Sequence, residues 1–221
     1  MNLPKQFKIR ASASGQIMTN DRSGKGMGKT AQNYVETWVK EQLYNRRRQF
    51  TSKYTTKGIE MESAAIEYLS EAWRLGMVFK NEVWRENEHF TGTPDLILPD
   101  RGIDIKCAWD CFTFPLFASE LPEKDYFYQG QVYMDLFNRN RWDFVYILMD
   151  TPDEIVEREL FYKTRDADLT PEDIQQLEAS YQYSHLPESL RIKSFRVERD
   201  DAIIQSIRDR VEQCRQYIEQ L

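Results

Sequence analysis

The chain has 221 residues, 41% of them hydrophobic and 30% charged, with a net charge of −6. That bounds it as one domain with ample material for a packed core. No apolar run approaches the ~20 residues of a membrane span, and MNLPKQFKIR lacks a signal-peptide core, so a cytoplasmic protein without a membrane partner is expected. The cysteines Cys107, Cys111 and Cys214 form no CxxC pair, and their odd number argues against a disulfide framework. Two histidines, His89 and His185, are too few for HExxH, zinc-deaminase or His-rich nuclease sites, and both read as surface or loop residues. The charge is uneven: positions 1–57 are basic, with Arg46, Arg47, Arg48, Lys53 and Lys57, whereas 150–190 are acidic. Local potential steers a polyanion more than the total does.

In chain order, the first marked segment is SGKGMGKT at 23–30. It ends as a phosphate-binding loop does, in Gly28, Lys29 and Thr30, but Ser23 stands where that pattern needs glycine. The stretch before it has no β-branched apolar run to make the feeding strand, so a Gly-rich basic connector is expected. Residues 30–50 place Tyr34, Val35, Trp38, Val39 and Leu43 at helical spacing. A second helix is expected from after Gly58 to about Leu75, with Met61, Ala65, Tyr68, Leu69 and Ala72 on one face. Three strand-like runs follow, MVFKNEVWR, DLILP and GIDIKCAW, the last two joined through PDRG as a hairpin. DYFYQGQVYMDLFN reads as a helix, WDFVYILMD as a buried strand, and 153–190 as polar helix with a start at TPED (170–173). RIKSFRVERD is a strand and residues 200–221 a closing amphipathic helix. The order implies an α/β protein, a mixed sheet flanked by helices.

The chemistry concentrates in GTPDLILPDRGIDIKCAW, residues 92–109. Asp95 opens one strand; Asp104 and Lys106 stand two apart on the next, on one face, with Ile103, Ile105 and Cys107 on the other. Charges inside an apolar β segment are costly unless paired or bound to a cation. Two neighbouring carboxylates repel, and a divalent ion offsets the repulsion. All-oxygen ligands point to Mg²⁺ or Mn²⁺, which serve phosphodiester hydrolysis. D-x-K alone also fits a surface cross-pair. Glu62, in line with Ile66 and Leu69, faces inward, while Glu60 and Glu67 read as solvated. Gln129 and Tyr133 lie one helical turn apart.

These pieces resemble the PD-(D/E)xK nuclease superfamily, in the branch of phage lambda exonuclease, the YqaJ-like proteins and the RecB-type nuclease domains. The match runs through G-x-x-x-E-x-x-A (Gly58, Glu62, Ala65), GTPD (Gly92 to Asp95), DIK (Asp104 to Lys106) and Q-x-x-x-Y (Gln129, Tyr133). The family usually has Glu where this chain has Asp104, a shorter carboxylate. The resemblance implies a restriction-endonuclease-like core in a single domain, with an N-terminal DNA-end segment (1–57), a catalytic core (58–150) and a C-terminal helical extension (151–221). It implies Glu62, Asp95, Asp104 and the Ile105 carbonyl as metal ligands, Lys106 as the catalytic lysine and Gln129 as a supporting residue. R-A-S and I-M-T-N-D-R-S-G-K are similar to the first segment of lambda exonuclease. By that likeness Ser12 and Thr93 would hold a 5′-phosphate, with Arg22 and Tyr133 as DNA contacts, Lys5 or Arg10 standing for the family's arginine, and SGKGMGKT near DNA. The implied activity is 5′–3′ exonucleolysis of double-stranded DNA ends, phage or prophage in origin. A single-strand annealing protein as partner and a ring-shaped homotrimer are implied as well. An endonuclease or junction resolvase on the same core, and a non-catalytic DNA-binding module, are the alternatives. An iron–sulfur exonuclease needs four cysteines.

Overall fold

The computed structural model describes residues 3–24, 26–48, 53–165 and 169–221. Strand β1 (Ile9–Arg10), a 3₁₀ turn (Ala11–Ala13) and the short helix α1 (Ser14–Ile17) precede α2 (Lys29–Tyr44). Helix α2 buries Ala31, Val35 and Val39 and stops at Asn45, whose φ of 49° is the left-handed cap that asparagine tolerates. The helix expected to reach residue 50 therefore ends before Arg46–Arg48, Leu43 is exposed, and positions 49–52 lie outside the described residues. Among the described residues no strand feeds the Gly28–Thr30 segment; an isolated bridge joins Asn20 to Met27, and Lys29 opens α2.

Helix α3 (Lys53–Ala72) begins before Gly58, not after it. The reason is tertiary. Lys57 is buried, and its ammonium donates to the Trp109 carbonyl (2.8 Å), the Met149 carbonyl (3.1 Å) and Thr151 Oγ1 (2.8 Å). Three acceptors for three N–H groups satisfy the buried cation and hold the first turns of α3 against the sheet. Of MVFKNEVWR only β2 (Arg85–Glu86) starts as strand, and Met77 and Phe79 are exposed.

One sheet was expected and two form. The small one, in order β1-β3-β2, contains β3 (Phe90–Gly92), parallel to β1 and antiparallel to β2. The large one orders β4 (Leu96–Ile97), β5 (Gly102–Cys107), β6 (Arg141–Ile147) and β7 (Ile192–Glu198). Strands β4 and β5 form the expected hairpin, and β5 and β6 are parallel, joined through α4 (Lys124–Phe137) as a parallel pair requires. Helix α4 is buried from Gln129 almost continuously to Phe137 because it lies between the two sheets and α7 (Asp201–Glu219). One core joins β1, β3, α2, α4 and α7; a second packs Ala65, Ile66 and Leu69 of α3 on Ile103 and Ile105 of β5. Helices α5 (Asp153–Thr164) and α6 (Pro171–Ala179) are peripheral. The latter starts at TPED, with a reciprocal Thr170–Asp173 capping box.

Candidate active site

The β4–β5 register pairs Leu96 with Ile103 and Ile97 with Gly102. One step further it sets Asp95 opposite Asp104, and directly opposed like charges on a sheet repel. Asp104 is only 2% exposed. Burial first, and then the neighbouring charge of Asp104, raise the Asp95 carboxyl to about 7. Each acid has taken the nearest donors. Asp95 Oδ2 accepts the Ile105 backbone N–H at 2.6 Å, and Asp104 Oδ2 meets Lys106 Nζ at 2.5 Å. Burial, the largest single influence, would lower the Lys106 pKa, but the charge and hydrogen bond of Asp104, with Tyr126 and Asp95 beside them, together outweigh it and leave the ammonium above the ordinary lysine range.

Across the strands, α4 supplies a chain of amide and hydroxyl groups. Gln129 Nε2 lies 3.4 Å from both Asp104 oxygens and 3.3 Å from the Tyr133 hydroxyl, which donates to the Thr93 carbonyl at 3.2 Å. The glycine of GTPD is required by close approach: a Cβ on Gly92 would stand 2.7 Å from Cε1 of Tyr133 and 3.2 Å from the Ala11 Cβ. The same contact brings the backbone preceding Ser12 beside that preceding Thr93. The Tyr126 ring, one turn before Gln129, lies 4.2 Å from Lys106 Nζ and adds a cation–π contact. Tyr146, paired with Lys106 across β5–β6, has a buried hydroxyl with no hydrogen-bond partner.

A cleft of about 670 Å³ gathers Glu62, Asp95, Asp104, Ile105, Lys106, Gln129 and Tyr133, so seven of the expected residues meet in one place. Ser12, Arg22 and Thr93 are exposed and do not line it. Glu62 departs from expectation in its detail. Its carboxylate is turned to Lys80 at 2.8 Å, and the Glu62, Asp95 and Asp104 oxygens do not converge within 4.8 Å. The physical reason is repulsion among three acids: each takes the cation or amide nearest to it. Lys80 escaped sequence reading because it lies in a run that looks like strand. Tyr126 was legible as the i−3 neighbour of Gln129. Among the described residues, Glu88, His89 and Glu212 bring their ligand atoms within 4.8 Å of one another, away from the cleft. There His89 Nε2 and Arg215 already contact Glu212, at 2.9 and 2.6 Å. His185 is exposed and His89, half-buried, lies in the loop between β2 and β3, both as expected; the three cysteines are free thiols.

Does the cleft fit a divalent cation? The donor set is all oxygen, and the opposed Asp95–Asp104 pair carries a repulsion that a cation would relieve. The residues fit, with Asp95 and Asp104 at the centre and Glu62 close enough to raise the Asp95 pKa through its charge.

Asp95 just before β4, Asp104 on β5, a lysine two residues on and a glutamine helix across match the layout that the resemblance to the lambda-exonuclease branch of the PD-(D/E)xK superfamily implies. More particularly, the chain is similar to a phage-related exonuclease from Haemophilus somnus 129PT, at 28% identity and a TM-score of 0.80 over 98% of this chain and 95% of that one. It also shares the fold of the alkaline exonuclease LHK-Exo from Laribacter hongkongensis, at 20% identity and a TM-score of 0.64 over 96% of this chain and 92% of that one. LHK-Exo solved in complex with dAMP gives 21% identity and a TM-score of 0.65, over 96% of this chain and 88% of that one. No protein-family model and no curated protein matches the chain. No helix among the described residues is long and apolar enough to cross a membrane.

Proposed function

We propose that the protein is a metal-dependent deoxyribonuclease, an exonuclease acting at double-stranded DNA ends. The observation that carries the reading is the buried Asp95–Asp104 pair with Lys106 and Gln129 in one cleft, in a fold shared almost end to end with a phage-related exonuclease. Asp95, Asp104, Glu62 and the Ile105 carbonyl would hold Mg²⁺ or Mn²⁺. The bound ion supplies Lewis acidity at the phosphodiester and lowers the pKa of water. The Lys106 ammonium neutralises charge that grows on the phosphate oxygens as water attacks in line. Gln129 fixes the Asp104 carboxylate, and Tyr133 fixes the Thr93 backbone. Ser12 and Thr93, with Arg22 beyond them, are the candidate contacts to the 5′-phosphate of the digested strand.

The division into an end-binding segment (1–57), a catalytic core (58–150) and a helical extension (151–221) belongs to this reading. So do 5′–3′ polarity, a recombination role beside an annealing protein, and a ring-shaped trimer. They draw support from the family resemblance.

The test is digestion of linear, 5′-phosphorylated duplex against closed circular duplex in Mg²⁺, with and without chelator. Linear DNA alone should be degraded, and chelator should stop it. Asp95→Ala and Lys106→Ala should each lower the rate at least a hundredfold with unchanged far-UV circular dichroism. Undiminished degradation by either variant would remove the site, and cutting of the circle would make the enzyme an endonuclease.

A further inference from the structure

A second large concavity, about 930 Å³, lies on the outer face of the small sheet, apart from the catalytic cleft. Its floor is β1 and β3: Ile9 and Phe90 are buried beneath it, and their successors Arg10 and Thr91 line it. Its cations are Lys5, Lys8, Arg10, Arg47 and Arg48, against the carboxylates Glu41 and Glu86. Glu86 is taken by Lys8 at 3.0 Å, and Glu41 accepts the Arg48 backbone N–H at 2.8 Å. Three aromatic side chains line the same groove, Tyr34, Trp38 and Trp84. Trp38 packs edge-on against Phe7, whereas Trp84 is 57% exposed and the Tyr34 hydroxyl is held by the Arg10 guanidinium.

Exposed indole beside guanidinium groups is a poor match for a folded hydrophobic partner and a good one for a nucleic-acid strand. Bases stack on rings whatever their sequence, and the cations follow the phosphates. Duplex DNA keeps its bases stacked on one another and, away from its ends, offers none to Trp84. The groove also leads to the chemistry. From Thr91 to Asp95 is four residues of chain, at most about 14 Å, so a strand in the groove lies within a few nucleotides of the acids.

We propose that this groove binds single-stranded DNA, the strand left when its complement is digested. Trp84 is the stacking platform, and Arg10, Arg47 and Arg48 carry the phosphates. The identity of that strand rests on the nuclease reading above; the binding itself does not.

The test is fluorescence anisotropy of a labelled 5′-hydroxyl oligo(dT) of about 12 nucleotides, a length within the known range of single-strand sites, in chelator so that nothing is cut. The wild type should bind it. Trp84→Ala should weaken binding roughly tenfold, Trp84→Phe should restore most of it, and Arg10→Gln should weaken it severalfold. Trp84 and Arg10 are exposed, so thermal melts should match the wild type. Wild-type affinity in both Trp84→Ala and Arg10→Gln, or displacement of the oligonucleotide by polyglutamate of equal charge as readily as by unlabelled oligo(dT), would overturn the proposal. Digestion of linear duplex is measured on the same wild-type preparation. Active enzyme with unaltered variants sinks the groove alone, and inactive enzyme with weakened variants sinks the nuclease reading alone.

Discussion

Asp95 shows how one side chain records what its site is built for. Its carboxyl is raised to about 7 by burial and by Asp104, so it is more easily protonated folded than unfolded, where it titrates near ~3.9. The folded state therefore binds the extra proton between about 4 and 7, and stability rises as pH falls through that window. Metal-free protein should gain on the order of 1–2 kcal/mol between pH 8 and 5 in urea denaturation, a discounted figure because the two acids share their titration. Millimolar Mg²⁺ should flatten the slope, because binding to the ionised pair stabilises the high-pH form. Asp95→Asn should abolish both effects; a slope that survives the substitution would place its origin elsewhere. Lys106 answers the same repulsion from the opposite side, closing on Asp104 at 2.5 Å.

Among the elements, α3 is the one whose position decides whether Glu62 faces the acids. Its apolar side, Ala65, Ile66 and Leu69, sits on β5, but apolar packing permits sliding along the helix axis. Lys57 removes that freedom by tying α3 to the Trp109 and Met149 carbonyls beyond the ends of β5 and β6. Lys57→Met leaves two carbonyls and the Thr151 hydroxyl without this donor and should cost about 1–3 kcal/mol in urea denaturation. The loss should grow with pH. Burial lowers the Lys57 pKa to about 8 from 10.5, so between those values the unfolded wild type binds more protons and native stability climbs. The methionine variant lacks that climb, and the gap between the two proteins should widen from pH 7.5 to 10. A constant gap would mean that burial does not lower the Lys57 pKa in the folded protein.

The whole molecule reconciles a net charge of −6 with a polyanionic substrate by segregation. Five cations and two carboxylates line the groove on the small sheet, while acidic residues crowd α5 and α6 at the far end of the chain. With a net of about three positive charges, the affinity for oligo(dT) should fall with salt at a log–log slope of about −2, at ~0.7 per neutralised phosphate. A slope near zero would show stacking without phosphate contacts. The two sheets have separate duties. The large one carries the acids on its β4–β5 hairpin, the small one carries the groove, and α4 between them touches both through Gln129 and Gly92's neighbour Tyr133.

Much of the site was legible in the chain because its signals are local. Strand alternation put Asp104 and Lys106 on one face, helical spacing aligned Gln129 with Tyr133, and PDRG closed the hairpin that opposes Asp95 to Asp104. Capping chemistry likewise marked the start of α6. What only tertiary structure decided was where charges from distant segments come to rest. The sliding of α3 back to Lys53 follows from carbonyls 52 and 92 residues away from Lys57. The turn of Glu62 to Lys80, the pairing of β1 with β3 and the placing of Trp84 and Arg10 in one groove follow from strand partners and burial that no window of sequence contains. Periodicity reports which face of an element is apolar; which ion a buried or half-buried charge chooses depends on what the fold delivers within a few ångströms of it.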